Sequence, residues 1–292
     1  MYLIVGASSF IGKYIARYCR DNNLRFVGTY CSHPNEYTEL QFNLLTDAFS
    51  DLLKQIPIDN GLLHIILCSA ETNIDNCKRN LQESNNLNVE ATKQLIDEIK
   101  SAGHKLIFLS SEAVFDGKTG LYAETDAPHP ITEYGRQKLT IEKYIQSTLN
   151  DALIFRLSRA VASTFGEPDI FGEFYHRIMN QEPIVCLKDQ SFCLTDVEDI
   201  ANAIISSCEQ DLQGVYHISS SNYITRYELA QLYAQRFFNG YDRIYEKDYS
   251  EIPFLDNRHI RGGLEGKHLQ EILHNYYLNL DEIMDHYAQS FH

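Results

Sequence analysis

The sequence predicts an α/β fold: a doubly wound parallel sheet with a smaller, interleaved C-terminal lobe. Three observations predict it. Short apolar runs alternate with helix-period segments through the first half, the rhythm of βαβ units. Those runs are apolar throughout instead of alternating, as strands of a parallel sheet covered on both faces are. After Ser158 the texture turns aromatic and irregular, in segments such as "STFGEPDIFGEFYHRIMNQEPI", which marks a second lobe.

Taken in order, "YLIVG" reads as the first strand and "FIGKYIARYCRDN" as the helix that follows it. "LRFVGTY" is the next strand, "AFSDLLKQI" a helix and "LLHIIL" a strand. "NLNVEATKQLIDEIKSAG" carries helical period, and "KLIFLSS" is again apolar and strand-like. "YGRQKLTIEKYIQSTL" reads as a helix and "ALIFRLS" as another buried strand; "EDIANAIISSCEQ" and "GVYHIS" extend the alternation. At 292 residues the chain is long enough for two lobes sharing one core. No repeat or flexible linker separates them, so they are expected to interleave.

A net charge of −15 argues against nucleic acid and acidic membranes as partners, because both are bound mainly through Lys and Arg. A phosphorylated small molecule remains compatible, since backbone N–H groups at a helix N-terminus can hold it. The seven cysteines form no C-x-x-C pair and the eleven histidines no ligand spacing, so neither a metal site nor a disulfide framework is expected. The cysteine usage suggests a reducing cytoplasm. The N-terminus shows no signal-peptide pattern, and no run reaches the ~20 apolar residues of a membrane helix.

"VGASSFIG" places Gly6 and Gly12 at a strand-to-helix turn, where a dinucleotide's pyrophosphate rests on a helix N-terminus. Ser9 replaces the middle glycine, and its side chain could either crowd the phosphate or hydrogen-bond it. An NAD site expects an acid near the end of the second strand, but "VGTYCSHPN" has none before Glu36. That absence favours NADPH, with NADH possible. No Arg or Lys stands there for a 2′-phosphate; Ser32 and His33 are the candidates, beside a plain solvated loop.

With 19 Tyr and 12 Lys in the chain, chance gives about 0.8 occurrences of Y-x-x-x-K, so the spacing of Tyr134 and Lys138 needs context. Four residues apart on a helix, the two share one face, and a neighbouring ammonium lowers a phenol's pKa, which suits a general acid. Upstream, "KLIFLSSEAVFDG" ends a strand with Ser110, Ser111 and Glu112 at the carboxyl edge, where doubly wound sheets bind ligands. The bland alternative is a turn or helix cap.

The combination of "VGASSFIG", "SSEAVFDG" and "YGRQK" resembles the extended short-chain dehydrogenase/reductases, most closely the dTDP-4-dehydrorhamnose reductase group of sugar-nucleotide 4-ketoreductases. "SAETNIDNC", "NLNVEATKQL", "FRLS", "KDQSFCLTDVEDIANAI" and "GVYHISSSNYITRYELA" extend the resemblance along most of the chain. It implies a Rossmann domain over 1–158, completed by about 186–218, and a substrate-binding lobe from 159–185 and 219–292. The implied activity is NADPH-dependent reduction of the 4-keto group of a nucleoside-diphosphate-linked 6-deoxy sugar.

The resemblance makes Tyr134 the proton donor. Lys138 binds the nicotinamide ribose and depresses the Tyr134 pKa, and Ser111 holds the substrate oxygen where the family has Thr. Gly6, Ser9, Phe10, Ile11 and Gly12 face the pyrophosphate, Asn43 and Leu44 lie near adenine, and Ser69 and Ala70 line the cofactor. Glu112 and Arg258 are substrate-side candidates, Arg258 for a nucleotide diphosphate. Two departures reshape the expected pocket: Glu112 and Ala113 replace Asp-Tyr, and "RLSRAVA" puts Arg159 or Ala160 where the family has a bulky aromatic. An epimerase or dehydratase with the same cofactor, and a non-catalytic subunit like the regulatory subunit of methionine adenosyltransferase, are the competing readings. A homodimer is the commonest default for such a protein.

Overall fold

The computed structural model describes residues 1–57 and 61–291. Seven parallel strands form the central sheet: β1 (Tyr2–Val5), β2 (Phe26–Tyr30), β3 (Leu40–Gln41), β4 (His64–Leu67), β5 (Lys105–Ser111), β6 (Leu153–Leu157) and, late in the chain, β10 (Gly214–Ile218). Their spatial order is β3-β2-β1-β4-β5-β6-β10. This is the Rossmann arrangement. The order reverses between β1 and β4, and the crevice beyond their carboxyl ends is where such sheets take ligands.

Helices α1 (Phe10–Asp21), α2 (Phe49–Leu53), α3 (Ile74–Arg79), α4 (Leu81–Asn85), α5 (Thr92–Ala102) and α6 (Glu133–Thr148) fill the crossovers between these strands. The sheet buries apolar side chains on both faces. One face packs Ile4, Ile66, Ile107 and Phe155 against α1, and the other packs Leu3, Ile65, Phe108 and Ile154 against α5 and α6. Burial of this apolar surface, at about 25 cal/mol per Å², holds the helices on the sheet.

The chain leaves the sheet after β6 and builds the lobe. There β7 (Arg159–Val161) pairs with β9 (Ser191–Asp196), which also takes β11 (Tyr223–Thr225), while β8 (Ile184–Leu187) pairs with β12 (Ile244–Lys247). Helices α7 (Ile170–Met179) and α9 (Arg226–Phe238) cover these strands, and α11 (Leu280–Ser290) joins them through Ile283, Met284 and Tyr287. Helix α8 (Val197–Glu209) returns to the main sheet and packs on α1, followed by β10; α10 (Lys267–Leu273) lies against both.

The observed boundary differs from the expected one. The resemblance places the return to the main domain at about 186, but β9 belongs to the three-stranded sheet, and the return begins at α8. All six residues of β9 are buried, the polar Ser191, Thr195 and Asp196 among them. Among the described residues, no helix is long and apolar enough to cross a membrane, and no cluster of His, Cys, Asp or Glu could hold a metal ion.

Candidate active site

The first wall of the site is backbone. Gly6 has φ +89°, a conformation that favours glycine, and a Cβ on Gly12 would meet the Gly6 carbonyl oxygen at 2.3 Å. Both glycines are therefore needed to bring α1 down onto the end of β1. The Ser9 hydroxyl accepts from the Gly12 N–H at 3.1 Å and caps α1. Ser9 has ordinary extended dihedrals, so the missing glycine strains nothing.

Phe10 and Ile11, half-buried, open the helix, and their N–H groups fall among those with no intrahelical acceptor. Ser69 stands directly against Gly6, and Ala70 follows it, half-buried. A cradle this tight, with glycines where a Cβ would clash and free N–H groups at the helix start, fits a dinucleotide's pyrophosphate.

The adenine side is less open than expected. Asn43 closes its own turn, its Oδ1 accepting from Leu45 N–H at 3.0 Å, and Leu44 packs against the core. Ser32 and His33 are exposed and hydrogen-bonded to each other at 2.8 Å. Arg20, whose partner Glu36 follows that stretch, is engaged by Asp21, Glu36 and the Tyr37 ring.

The second wall holds the triad. Thr132 caps α6, and a Cβ on Gly135 would lie 2.0 Å from the Ala113 carbonyl oxygen, so only glycine lets the helix sit this close to the turn after β5. That approach sets Tyr134 beside Ser111, and a hydrogen bond from the Ser111 hydroxyl pulls the phenol's pKa down. Burial outweighs it and pushes the phenol above its ordinary value. The expected lowering by Lys138 is thus corrected. The Lys138 ammonium lies 5.8 Å from the Tyr134 ring centre, donates to the Leu109 carbonyl at 2.7 Å and sits over the Phe108 ring. Burial lowers Lys138 itself to about 8.

One turn on, Glu142 is fully buried and bound by Arg156 through Nε at 3.1 Å and Nη2 at 2.8 Å, with Ser110 donating to it at 2.5 Å. This polar floor lies under the triad. Asn88, in a π-helical turn (Asn86–Ala91), braces the far side, donating to the Glu71 carbonyl and to Gln137.

Beyond Ser111 and Tyr134 opens a cavity of about 1030 Å³. Phe10 lies at one end, and four of the chain's 13 arginines line the rest: Arg159, Arg177, Arg226 and Arg258. Arg258, expected to reach for a diphosphate, is bound to Asp75 of α3 at 2.7 Å and lies over the Phe254 ring. Arg226 and Arg177 both bind Glu173. Glu112 accepts from the Gly263 N–H at 2.6 Å, and burial raises its carboxyl pKa; Asp169 is raised by burial to about 6.

Sequence reasoning gave Arg177, Arg226, Glu173 and Asp169 no role. Asp169 caps α7, Glu173 and Arg177 stand four apart on it, and Arg226 opens α9, 53 positions after Glu173; the i,i+4 pair was a local signal, but its meeting with Arg226 across the cavity was not. At the rim, Lys13 of α1 pairs with Glu167 at 2.5 Å and Tyr14 donates to the same carboxylate, tying the loop after β7 to the first wall.

Residues 1–288 match the family described as RmlD substrate binding domain. The chain belongs to the RmlD family, within the extended short-chain dehydrogenase/reductases. Among curated proteins, this RmlD-family chain is 29% identical over 234 residues to the "Probable low-salt glycan biosynthesis reductase Agl14" of Haloferax volcanii, covering 77% of this chain and 76% of that protein. It is 28% identical over 247 residues to "Methionine adenosyltransferase 2 subunit beta" of Danio rerio, covering 80% of this chain and 73% of that one. Among solved structures, the dTDP-4-dehydrorhamnose reductase of Bacillus anthracis, in complex with NADP, superposes with a TM-score of 0.81 at 19% identity, covering 99% of this chain and 98% of that one. That likeness is one of fold.

Proposed function

We propose that the protein is an NADPH-dependent reductase of a keto group on a nucleoside-diphosphate-linked sugar, with 4-keto-6-deoxy sugars as the first candidates. One observation carries the reading: Ser111 and Tyr134 meet at the sheet's carboxyl edge, over a buried Lys138, at the mouth of an arginine-lined cavity. Gly6, Ser9, Phe10, Ile11 and Gly12 would hold the cofactor's pyrophosphate, and Ser69 and Ala70 would line its path to the triad. A reduced nicotinamide bound there supplies hydride to the substrate carbonyl carbon.

The chain's own residues do the rest. Ser111 orients the carbonyl oxygen. Tyr134, kept protonated by burial, gives that oxygen its proton, so that ketone, hydride and proton become an alcohol. Lys138, charged below a pH of about 8, stabilises the phenolate left behind. The stretch "VGTYCSHPN" around Ser32 and His33 carries no Arg or Lys for a 2′-phosphate, so the preference for NADPH rests on its having no acid for the ribose.

Purified protein offered NADPH or NADH with a panel of 4-keto sugar nucleotides tests the reading by cofactor absorbance. Consumption with any of them supports it. The likeness to a methionine adenosyltransferase subunit favours a second reading, a cofactor-binding regulatory subunit. Tight NADPH binding with no turnover across the panel is the outcome that reading expects.

A further inference from the structure

Arg159 stands two residues beyond Leu157, the register partner of Ser111, and lines the same cavity as that hydroxyl. Its guanidinium stacks over the Phe192 ring at 4.8 Å. A stacked guanidinium is held flat while its N–H edge stays free. The two carboxylates whose fields reach it are engaged elsewhere: Glu112 by the Gly263 N–H, and Glu173 by Arg226 and Arg177. Arg226 and Arg258 add like charge from other sides. Among the described residues, Arg159 is the one cavity arginine without a carboxylate partner.

A cation left open in a concave wall attracts an anion, and a planar fork receives a carboxylate through two parallel hydrogen bonds. We propose that Arg159 binds a carboxylate carried by the sugar itself, so that the substrate is an acidic keto sugar linked to a nucleoside diphosphate. The inference rests on the nucleotide-sugar reading above and narrows it, making the plain 6-deoxy sugar the weaker ligand. Placement favours the sugar over the diphosphate. Arg159 shares the cavity with Ser111 and lies within the field of Glu112, the residue next to that hydroxyl, whereas Arg177 and Arg226 line the stretch of cavity built by α7 and α9.

The test reads binding, not turnover. Calorimetry without cofactor compares UDP-glucuronic acid with UDP-glucose, the corresponding dTDP sugars, and UDP and dTDP alone, on the wild type and on Arg159→Gln. The wild type is expected to prefer the acidic sugar about tenfold or more, the scale of a charge-assisted pair. Arg159→Gln should abolish that preference and leave UDP and dTDP unchanged, and Arg159→Lys should restore part of it.

Equal affinity for acidic and neutral sugars in the wild type overturns the proposal. So does an Arg159→Gln variant that weakens UDP or dTDP by the same factor, which makes Arg159 a diphosphate anchor. Turnover of a neutral keto sugar nucleotide without acidic preference sinks this inference alone. Failure of every nucleotide sugar to bind sinks the function with it.

Discussion

Arg156 and Arg159 lie three residues apart, one in β6 of the main sheet and the other opening β7 of the lobe, and they belong to opposite regions. Arg156, in the floor under the triad, is 5% exposed and clamped by Glu142. Arg159, in the cavity wall, has a ring beside it and, among the described residues, no carboxylate in salt-bridge contact. A buried charge left unpaired is costly, so the floor's charges are all matched. A charge on the edge of water tolerates vacancy and can await a ligand. Within this pair of arginines, the carboxylate partner goes to the one that supports the fold, and the one proposed to read a substrate has none.

That contrast can be broken most forcefully at Glu142. Replacing it with Ala strands Arg156, whose Nη1 already has no partner, and should cost about 3–5 kcal/mol in denaturant unfolding. Arg159→Gln should stay within about 0.5 kcal/mol of wild type in the same experiment. Equal losses would erase the distinction between floor and wall.

Gly12→Ala probes the backbone wall. The new Cβ meets the Gly6 carbonyl and should cost about 1–3 kcal/mol in stability, with weaker NADPH binding by fluorescence titration.

Lys138 gives the comparison a pH axis. Its folded pKa, about 8, lies below the ordinary 10.5, so the unfolded chain binds more protons between those values, and this group makes stability rise with pH across that window. Activity should move the other way. As the ammonium is lost, kcat/KM should fall about tenfold per pH unit above about 8. A flat profile up to pH 10 would remove Lys138 from the reaction. The smallest effect belongs to the rim: Lys13→Ala should cost about 1 kcal/mol or less, and less still in high salt.

The parts of the molecule legible in the sequence are those where one local demand leaves one solution. Gly6 and Gly12 are dictated by a turn too tight for a side chain, and the sheet strands by burial on both faces. Tyr134 and Lys138 could be paired because a helix fixes their spacing, and Gly135 proved to be the residue that docks that helix. The pKa direction at Tyr134 was not legible, since desolvation depends on what closes around the ring and sequence spacing says nothing of it. The occupation of Arg258 by Asp75 joins residues 183 positions apart, beyond any motif. The π-helical turn at Asn88 was hidden for a related reason: "NLNVEATKQL" has ordinary helical period, and the bulge is imposed by the buried contacts of Asn88.

The central claim, that the Tyr134 phenol delivers the proton, is tested most directly by single-turnover reduction of a keto sugar nucleotide by the Tyr134→Phe enzyme saturated with NADPH. The account predicts cofactor affinity within about twofold of wild type and a rate at least about 100-fold lower, the usual worth of a positioned general acid. A Phe variant that turns over at the wild-type rate would contradict it.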